Sequence, residues 1–449
     1  MKLTLLPSDK GDCLLLESPD GTTILVDGGM NDSYVSHVRP FLAKWSKKSG
    51  RPLDLVYLSH IDQDHIAGIL QLMNDIADWR VYHHKVKSGE PWDEPDFPEP
   101  PSVARLWHNS FHDQIGKNAG AIGSMLAARA AQLANSADTN LQHLGAAYQA
   151  IAASIPEAIK LSSRVSAKQL KIPVNGEFDA LLAMVRDPPD AIQLNGPNSP
   201  VIKLLGPFEE NLKELRTKWN EWLRNADNKK NLARTRDWRD EEDARLDFSA
   251  LLAENIDDQL GDRGEVTEEN LASLMLMIEH DSKRLLLTGD GHYDEILEGL
   301  RHNGVIQDGG GVHVNVLKVQ HHGSEHNTNR DFARRITADH YVICGNGRHE
   351  NPDRRVLQVL AESRMGGQEV VSQNPEASRP CHFWFNCSVK FLERQIEQRR
   401  KNKLGLTEYT KALKHFKEVE SDMKDYAARS DARIKLHFLD SKPLELKLV

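Results

Sequence analysis

The feature that most constrains this 449-residue chain is a dense group of acids and histidines directly behind an apolar run. DLVYLS, residues 54–59, is typical of a buried strand, and IAGILQLMNDI, residues 66–76, has apolar residues at helical spacing. Between them lies HIDQDH, residues 60–65, with two histidines and two aspartates in six positions. A strand, a polar loop and a helix in this order indicate an α/β fold, in which such loops carry the ligands.

The chemistry of HIDQDH favours a metal site over a buried structural patch. The four candidate ligands are His60, Asp62, Asp64 and His65. Imidazole nitrogens and carboxylate oxygens bind divalent metals directly, whereas burying two unpaired acids against an apolar face is costly. The group therefore predicts a metal centre at the end of this strand.

Three other predicted strands also end in an acid or in histidines. Asp27 follows TILV, Asp290 follows RLLLTG, and His321 and His322 follow VLKVQ. Each position alone is a weak signal, because a strand often ends in a polar residue simply by reaching solvent. Together with HIDQDH they predict loops gathered at one edge of a sheet around a metal pair.

These motifs carry a family resemblance. The order of ILVDGG, SHIDQDH, LLLTGD and HHGS resembles the metallo-β-lactamase superfamily, whose hydrolases hold one or two metal ions at the edge of a ββ sandwich. More narrowly, DKGDCLLLES, LSHIDQDHIAG and LKVQHHGS are similar to the hydrolase domain of the DNA-uptake competence protein ComEC and its soluble relatives. The resemblance implies an α/β fold, a four-layer αββα sandwich with large helical insertions and a helical C-terminal extension.

The resemblance covers only part of the chain, which sets the expected domain organisation. The core is expected at 1–83 and 266–387, with a core strand at 200–207. Residues 84–199 are expected to be a mostly helical insertion, and 208–265 a charged helical insertion that is either a solvated helical pair or a basic lip over the site. Residues 388–449 are expected to be a charged helical tail that closes with a short strand pair.

The resemblance also implies roles for individual residues. His60 and Asp62 would hold one metal, Asp64 and His65 the second, Asp290 would bridge them, and His322 would supply a further ligand. Asp27 would orient the ligand loop. The expected catalytic residues are Asp64, His321 and His349, and the expected substrate contacts are Lys318, Ser324 and Arg348.

One position departs from the family pattern. Many superfamily members have a histidine just ahead of the strand that precedes the bridging aspartate, and Asn270 occupies that place here. The first metal would then have one nitrogen ligand, His60, among oxygen ligands. Oxygen-rich sites suit Mn²⁺ or Mg²⁺ and nitrogen-rich sites suit Zn²⁺, so we expect one or two divalent ions, Zn²⁺ or Mn²⁺, with manganese or a mixed site favoured.

Composition limits the compartment and the partners. Hydrophobic residues make up 39% and charged residues 27% of the chain, and no stretch approaches the ~20 apolar residues of a spanning helix. A cytoplasmic protein without a membrane segment is therefore expected. The net charge of -9 neither supports nor excludes nucleic acid, because a basic groove can lie inside an acidic protein.

The expected function is metal-dependent hydrolysis, and the resemblance favours a phosphodiesterase or nuclease that uses a metal-activated hydroxide. One alternative is hydrolysis of a small ester, a lactone or a phosphorylcholine-type headgroup, with 84–199 as a lid. The other is a non-catalytic, metal-stabilised module whose helical insertions bind a partner protein or a second copy. The ligand pattern specifies hydrolysis more closely than it specifies the substrate.

Overall fold

Strands with apolar residues on both faces form two sheets in the computed structural model, which describes residues 1–109, 157–179, 181–213, 260, 261, 263, 266, 270 and 272–448. The strands are β1 (Lys2–Leu5), β2 (Leu14–Glu17), β3 (Thr23–Val26), β4 (Leu55–Tyr57), β5 (Leu106–Trp107), β6 (Ile192–Gln193), β7 (Val201–Gly206), β8 (Met275–His280), β9 (Lys283–Leu287), β10 (Val312–Lys318), β11 (Ile336–Ile343), β12 (Cys381–Phe385), β13 (Ile434–Phe438) and β14 (Leu444–Lys447). Sheet 1 has the order β14-β1-β2-β3-β4-β5, and sheet 2 has the order β13-β12-β11-β10-β9-β8-β7-β6.

The helices lie between these strands along the chain. They are α1 (Arg39–Ser49), which follows the helical turns Asn31–Ser33 and Tyr34–Val38, α2 (Gln63–Lys87), α3 (Tyr293–His302), α4 (Arg330–Arg335), α5 (Arg354–Met365), α6 (Val389–Lys401) and α7 (Thr407–Arg429). Residues 157–165 are also helical. Short 3-10 turns lie at Gly176–Phe178, Gln320–Gly323, Glu325–Asn327, Arg348–Glu350 and Pro375–Ser378.

Three apolar cores separate four layers. The inner faces of the two sheets meet in one core, where Leu16 and Tyr57 of sheet 1 pack with Leu276 of sheet 2. The outer face of sheet 1 packs against α1, α2 and 157–165, and the outer face of sheet 2 packs against α3 to α7. This is the expected mixed α/β sandwich of four layers, αββα, and the fold-class prediction is confirmed.

Strand direction brings the polar loops together. β3 and β4 run parallel in sheet 1, and β9, β10, β11 and β12 run parallel in sheet 2. Parallel strands end at the same edge of a sheet, so the residues that follow these strands lie side by side. The two edges meet, because the Leu274 amide donates to the Ser59 carbonyl at 2.8 Å.

The terminal strands do not pair with each other as the sequence suggested. β13 lies parallel to β12 at the edge of sheet 2, whereas β14 lies antiparallel to β1 at the edge of sheet 1. Alternation of apolar and polar residues identifies a strand but does not specify its partner, which here is far away in the sequence. The tail therefore closes one edge of each sheet.

The insertions are described only in part. β5 and β6, both from within 84–199, extend sheet 1 and sheet 2 respectively. The Ala-rich segment at 121–155 and nearly all of the charged segment at 208–265, both expected to be helical, lie outside the described residues. None of the helices in the described ranges combines the length and the apolar character needed to cross a membrane.

Candidate metal centre

Asp290 lies at the centre of a buried cluster of histidines and acids. Its Oδ2 atom is 3.3 Å from Nε2 of His322, 3.5 Å from Nε2 of His60 and of His65, and 3.8 Å from Nε2 of His321. These histidines come from the loops after β4 and β10 and from the first turn of α2. One carboxylate oxygen is thus surrounded by four imidazole nitrogens.

The remaining carboxylates divide the cluster into two sets. Asp62 Oδ2 lies 3.7 Å from Nε2 of His60, and Asp64 Oδ2 lies 3.5 Å from Nε2 of His322. Asp62 is the residue that precedes α2, and Asp64 is in its first turn, where the partial positive charge of the helix end favours an anion. The sets are therefore His60 with Asp62, and Asp64 with His322 and with His65, whose Nε2 lies 3.4 Å from that of His322.

Asp27 fixes the orientation of His65. Its Oδ2 lies 2.9 Å from Nδ1 of His65, and its carboxylate also accepts hydrogen bonds from the amide and hydroxyl of Ser59 at 2.7 and 2.8 Å. The Nδ1–H of His65 then donates to Asp27, so Nε2 is left to face Asp290. This is the arrangement in which a carboxylate behind a histidine prepares the histidine to bind a metal.

Close backbone contacts at glycines hold the first turn of α2 against the loop after β3. The Gly28 amide donates to the His65 carbonyl at 2.9 Å, and the Gly68 amide donates to the Gly29 carbonyl at 3.0 Å. A Cβ atom on Gly68 would lie 2.0 Å from the Gly28 carbonyl oxygen. Only glycine permits this approach, which sets the position of Asp64 and His65 against β3.

His321 and His322 have left-handed backbones, with φ of 44° and 56°. Such conformations cost a residue with a side chain roughly 1–2 kcal/mol and persist where surrounding contacts enforce them. Here the His321 amide donates to the Gly289 carbonyl at 3.1 Å, and His322 Nδ1 lies 2.7 Å from the Cys344 carbonyl oxygen. The strain places both Nε2 atoms on the Asp290 side of the loop.

His321 faces the position of the family's missing histidine. Its Nδ1 lies 2.7 Å from Oδ1 of Asn327, and its Nε2 lies 3.4 Å from Nδ2 of Asn270. Asn327 is itself fixed, since its side chain donates to the Asp290 carbonyl at 3.0 Å. The Nε2 of His321 therefore lies beside both Asp290 and the asparagine that departs from the family pattern.

The sequence reasoning missed Asp12. This acid, in the turn between β1 and β2, is buried beneath His322, with Oδ1 3.2 Å from His322 Nδ1 and Oδ2 2.5 Å from Nζ of Lys318. Because it contacts Nδ1 of His322, on the far side of the ring from Asp290, it is placed to orient the ring. The DKGD turn was part of the family resemblance, and the acid within it was the available signal.

Charge interactions within the cluster outweigh the effect of burial. Burial disfavours ionisation of Asp290 and Asp64, but the histidines around Asp290 and Lys10 beside Asp64 hold the pKa of each carboxyl well below its usual value. Burial also opposes a charge on His65 and His322, yet Asp290 above all raises the pKa of both well above the usual value. Burial lowers the pKa of His321. The cluster thus balances ionised carboxylates with imidazolium groups.

The donor set fits a divalent cation. Nε2 of His60, Oδ1 of Asp62 and Oδ1 of Asp290 are buried and have no hydrogen-bond partner among the described residues. Buried polar atoms without partners are rare and costly unless an ion or water satisfies them. Four side chains, Asp12, His65, Asp290 and His322, also bring one potential ligand atom each within 4.8 Å of one another.

The expected substrate contacts occupy different environments. Lys318 is only 1% exposed and pairs with Asp12, a position that argues against direct contact with a substrate. Ser324 is also buried, just after the strained histidine pair. Arg348 is partly exposed, with its guanidinium 3.3 Å from Asp9, and His349 beside it is exposed, outside the buried group around Asp290.

Comparison with protein families and with curated proteins gave different results. No curated protein matches the chain. Residues 7–124, which include Asp12, Asp27 and the HIDQDH motif, match the family model of the metallo-beta-lactamase superfamily. The superfamily is generally hydrolytic and typically binds divalent metals, so the match and the ligand cluster together indicate a metal-dependent hydrolase. Residues 7–124 are thus similar to a metallo-beta-lactamase superfamily domain.

Proposed function

We propose that this protein is a metal-dependent phosphodiesterase that acts as a nuclease. The observation that carries the proposal is that Asp290 Oδ2 approaches both sets of ligands, 3.3 to 3.8 Å from four imidazole nitrogens. A carboxylate in this position is suited to bridge two divalent ions. When bound, a metal pair would supply Lewis acidity and a clamp for the attacking and leaving oxygens of displacement at phosphorus.

We assign the ligands as follows. The first ion would be held by His60 and Asp62, the second by Asp64, His65 and His322, and both by Asp290. His321 completes the first set, because its Nε2 lies 3.8 Å from Asp290 Oδ2 and 3.4 Å from the amide nitrogen of Asn270. Asn327 supports this assignment by binding Nδ1 of His321, so that Nε2 is the ring nitrogen directed towards Asp290.

Basic side chains beside the cluster support a phosphate group as the part of the substrate that is hydrolysed. Nζ of Lys10 lies 3.8 Å from Asp64 Oδ2, and its side chain retains 14% exposure. Arg348 lies 3.3 Å from Asp9, the residue that precedes Lys10, and the Arg348 side chain is 22% exposed. Both can donate to phosphate oxygens at the rim and offset the charge of the carboxylates. The resemblance to the ComEC hydrolase domain favours the same substrate class.

Hydrolysis assays with defined metal content test the proposal. Protein stripped with EDTA is reconstituted with Mn²⁺ or Zn²⁺ and tested on bis-p-nitrophenyl phosphate, single-stranded DNA and RNA. We expect metal-dependent cleavage that Asp290→Asn reduces by at least a hundredfold, with a parallel loss of bound metal measured by elemental analysis. Asp32→Asn, an exposed acid in the turn before α1, is the matched control and should behave as wild type.

Other outcomes would replace the proposal. Preferential hydrolysis of p-nitrophenyl acetate, of a lactone or of a phosphorylcholine ester would assign the site to small esters. Tight metal binding with no hydrolysis of any of these substrates would assign the protein to the non-catalytic binding class.

A further inference from the structure

A strongly basic segment of the tail lies against the rim of the metal centre. Six of the sixteen residues from 399 to 414 are lysine or arginine and one is acidic, although the whole chain has a net charge of -9. This basic segment, residues 399–414, joins the end of α6 to the start of α7. Arg400, Lys403 and Lys414 are exposed, whereas Lys401 and Lys411 pair with Glu397 and Glu408.

Packing contacts fix the basic segment next to the loop after β11. A Cβ atom on Gly347 would lie 2.5 Å from the Ala412 carbonyl oxygen, so the backbones of the loop and α7 are in direct contact. His415 Nε2 lies 3.0 Å from the Pro352 carbonyl oxygen. This loop follows directly from Cys344, whose carbonyl binds His322. The tail is thus attached to the same loop system that carries the candidate ligands.

Charged groups continue from the basic segment to the cluster. Arg399 lies over the ring of Tyr409, 4.3 Å from its centroid, and Arg348 lies 5.5 Å from the same centroid. The Tyr409 hydroxyl donates to Asp9 at 3.3 Å. Lys10, the next residue, lies beside Asp64. Arg348 and Arg399 are thus joined to Asp9, and so to Lys10 beside the cluster, through the ring and hydroxyl of Tyr409.

We propose that the basic segment, residues 399–414, binds the phosphate backbone of a single-stranded nucleic acid whose scissile phosphate lies at the metal centre. This deepens and rests on the proposed phosphodiesterase function. A positively charged track beside the reacting site suits a polyanion, since its binding releases condensed counterions. A single strand is favoured because Asp290 and Asp64 are only 2% and 7% exposed, and one flexible strand can bring a phosphate closer to buried carboxylates than a stiff duplex can.

Charge reversal at the exposed positions tests the surface. The triple variant Arg400→Glu, Lys403→Glu, Lys414→Glu is compared with Lys44→Glu, Lys47→Glu, Lys48→Glu, which makes the same charge change on exposed residues of α1. Residues of α1 precede β4, so the control surface lies at the end of the sandwich away from the cluster. A second tail variant with glutamine at the three positions removes the charges without reversing them.

Binding is measured by fluorescence anisotropy of a labelled single-stranded 20-mer in EDTA, where no cleavage occurs. We expect the tail variants to bind at least tenfold more weakly and the slope of log K against log salt to fall by about 2, because about 0.7 ions are released per phosphate contact on single strands. The α1 control should bind as wild type. Duplex of the same length should bind more weakly than the single strand.

Hydrolysis of bis-p-nitrophenyl phosphate separates this inference from the proposed function. The tail variants should hydrolyse it within twofold of wild type, since a small diester does not reach the basic segment, and should cleave the oligonucleotide at least tenfold more slowly. Binding unchanged in both tail variants, an equal loss in the α1 control or a preference for duplex would each overturn the inference. Absence of metal-dependent hydrolysis of both the small diester and the oligonucleotide in wild type would overturn the proposed function, and the anisotropy result would still decide whether the surface binds nucleic acid.

Discussion

Replacing Lys318 by methionine should destabilise the protein rather than weaken its contact with a substrate. The Lys318 ammonium lies 2.5 Å from Asp12 Oδ2, donates to the Gly289 carbonyl at 2.9 Å and lies 3.7 Å from Asp290 Oδ1. Its side chain is 2% exposed and that of Asp12 is 1% exposed. Methionine fills a similar volume without the charge, so the variant isolates the loss of the ion pair.

The expected cost follows from the burial of both partners. Removing one member of a buried ion pair typically costs 3–5 kcal/mol, because the other charge is left without compensation. Asp12 keeps one neighbour, Nδ1 of His322 at 3.2 Å, which places the expected loss near the lower limit, about 3 kcal/mol. A loss of that size reduces the ratio of folded to unfolded protein more than a hundredfold.

Urea unfolding of a double-mutant cycle measures this cost. Asp12→Asn combined with Lys318→Met removes both charges, and we expect it to recover at least 1 kcal/mol of the loss in the single variant, because residues in contact are coupled. Lys10→Met is the comparison at the rim, where the ammonium is only partly buried and the loss of stability should be smaller. An unchanged unfolding midpoint for Lys318→Met, together with a raised KM, would refute the reasoning and restore a substrate contact.

Two further changes test how the site is built. Gly68→Ala forces a Cβ atom against the Gly28 carbonyl oxygen and should lower stability by about 1–3 kcal/mol and reduce bound metal, as followed by thermal unfolding and elemental analysis. Gly367→Ala, whose Cβ would meet nothing within 4 Å, is its control, and equal effects would contradict the argument. In EDTA-treated protein the raised pKa of His65 and of His322 gives stability that is fully present below the unfolded value of about 6.5 and is lost as pH rises through the folded values. Urea midpoints should therefore fall as the pH is raised above about 6.5. A midpoint that rises over this range would contradict the assigned shifts.

The sequence predicted the layers because each strand carries its own local signal. TILV, DLVYLS and RLLLTG are apolar runs that lead into a polar residue. The first two form parallel strands of sheet 1 and the third lies parallel to β10 in sheet 2, and the residues that follow them meet at one site. The strands with which β13 and β14 pair could not be predicted from such local signals. Their partners are β12 and β1, and pairing between distant strands depends on tertiary packing that local periodicity does not record.

Parts of the site could not be predicted because they depend on contacts between residues that are far apart in the sequence. Asp12 lies in a turn, where an acid is common, and its importance comes from Lys318, which is 306 residues away. Lys318 itself was expected to contact the substrate because it stands near a strand end beside a metal ligand. The structure places the side chain inside the protein, because on this face of β10 the ammonium group meets Asp12 and the Gly289 carbonyl and does not reach solvent.

The metal preference depends on whether His321 is counted as a ligand. From the sequence, Asn270 left His60 as the single nitrogen ligand of the first ion and favoured a harder metal there than at the second site. With His321 included, each ion would have two imidazole ligands, one aspartate of its own and the bridging Asp290. The two sites should then bind Mn²⁺ with similar affinity. Titration of the stripped protein should then fill both sites together, and His321→Ala should leave one ion per chain. Retention of two ions by His321→Ala, with loss of the first ion in Asn270→Ala, would return the ligand role to the asparagine.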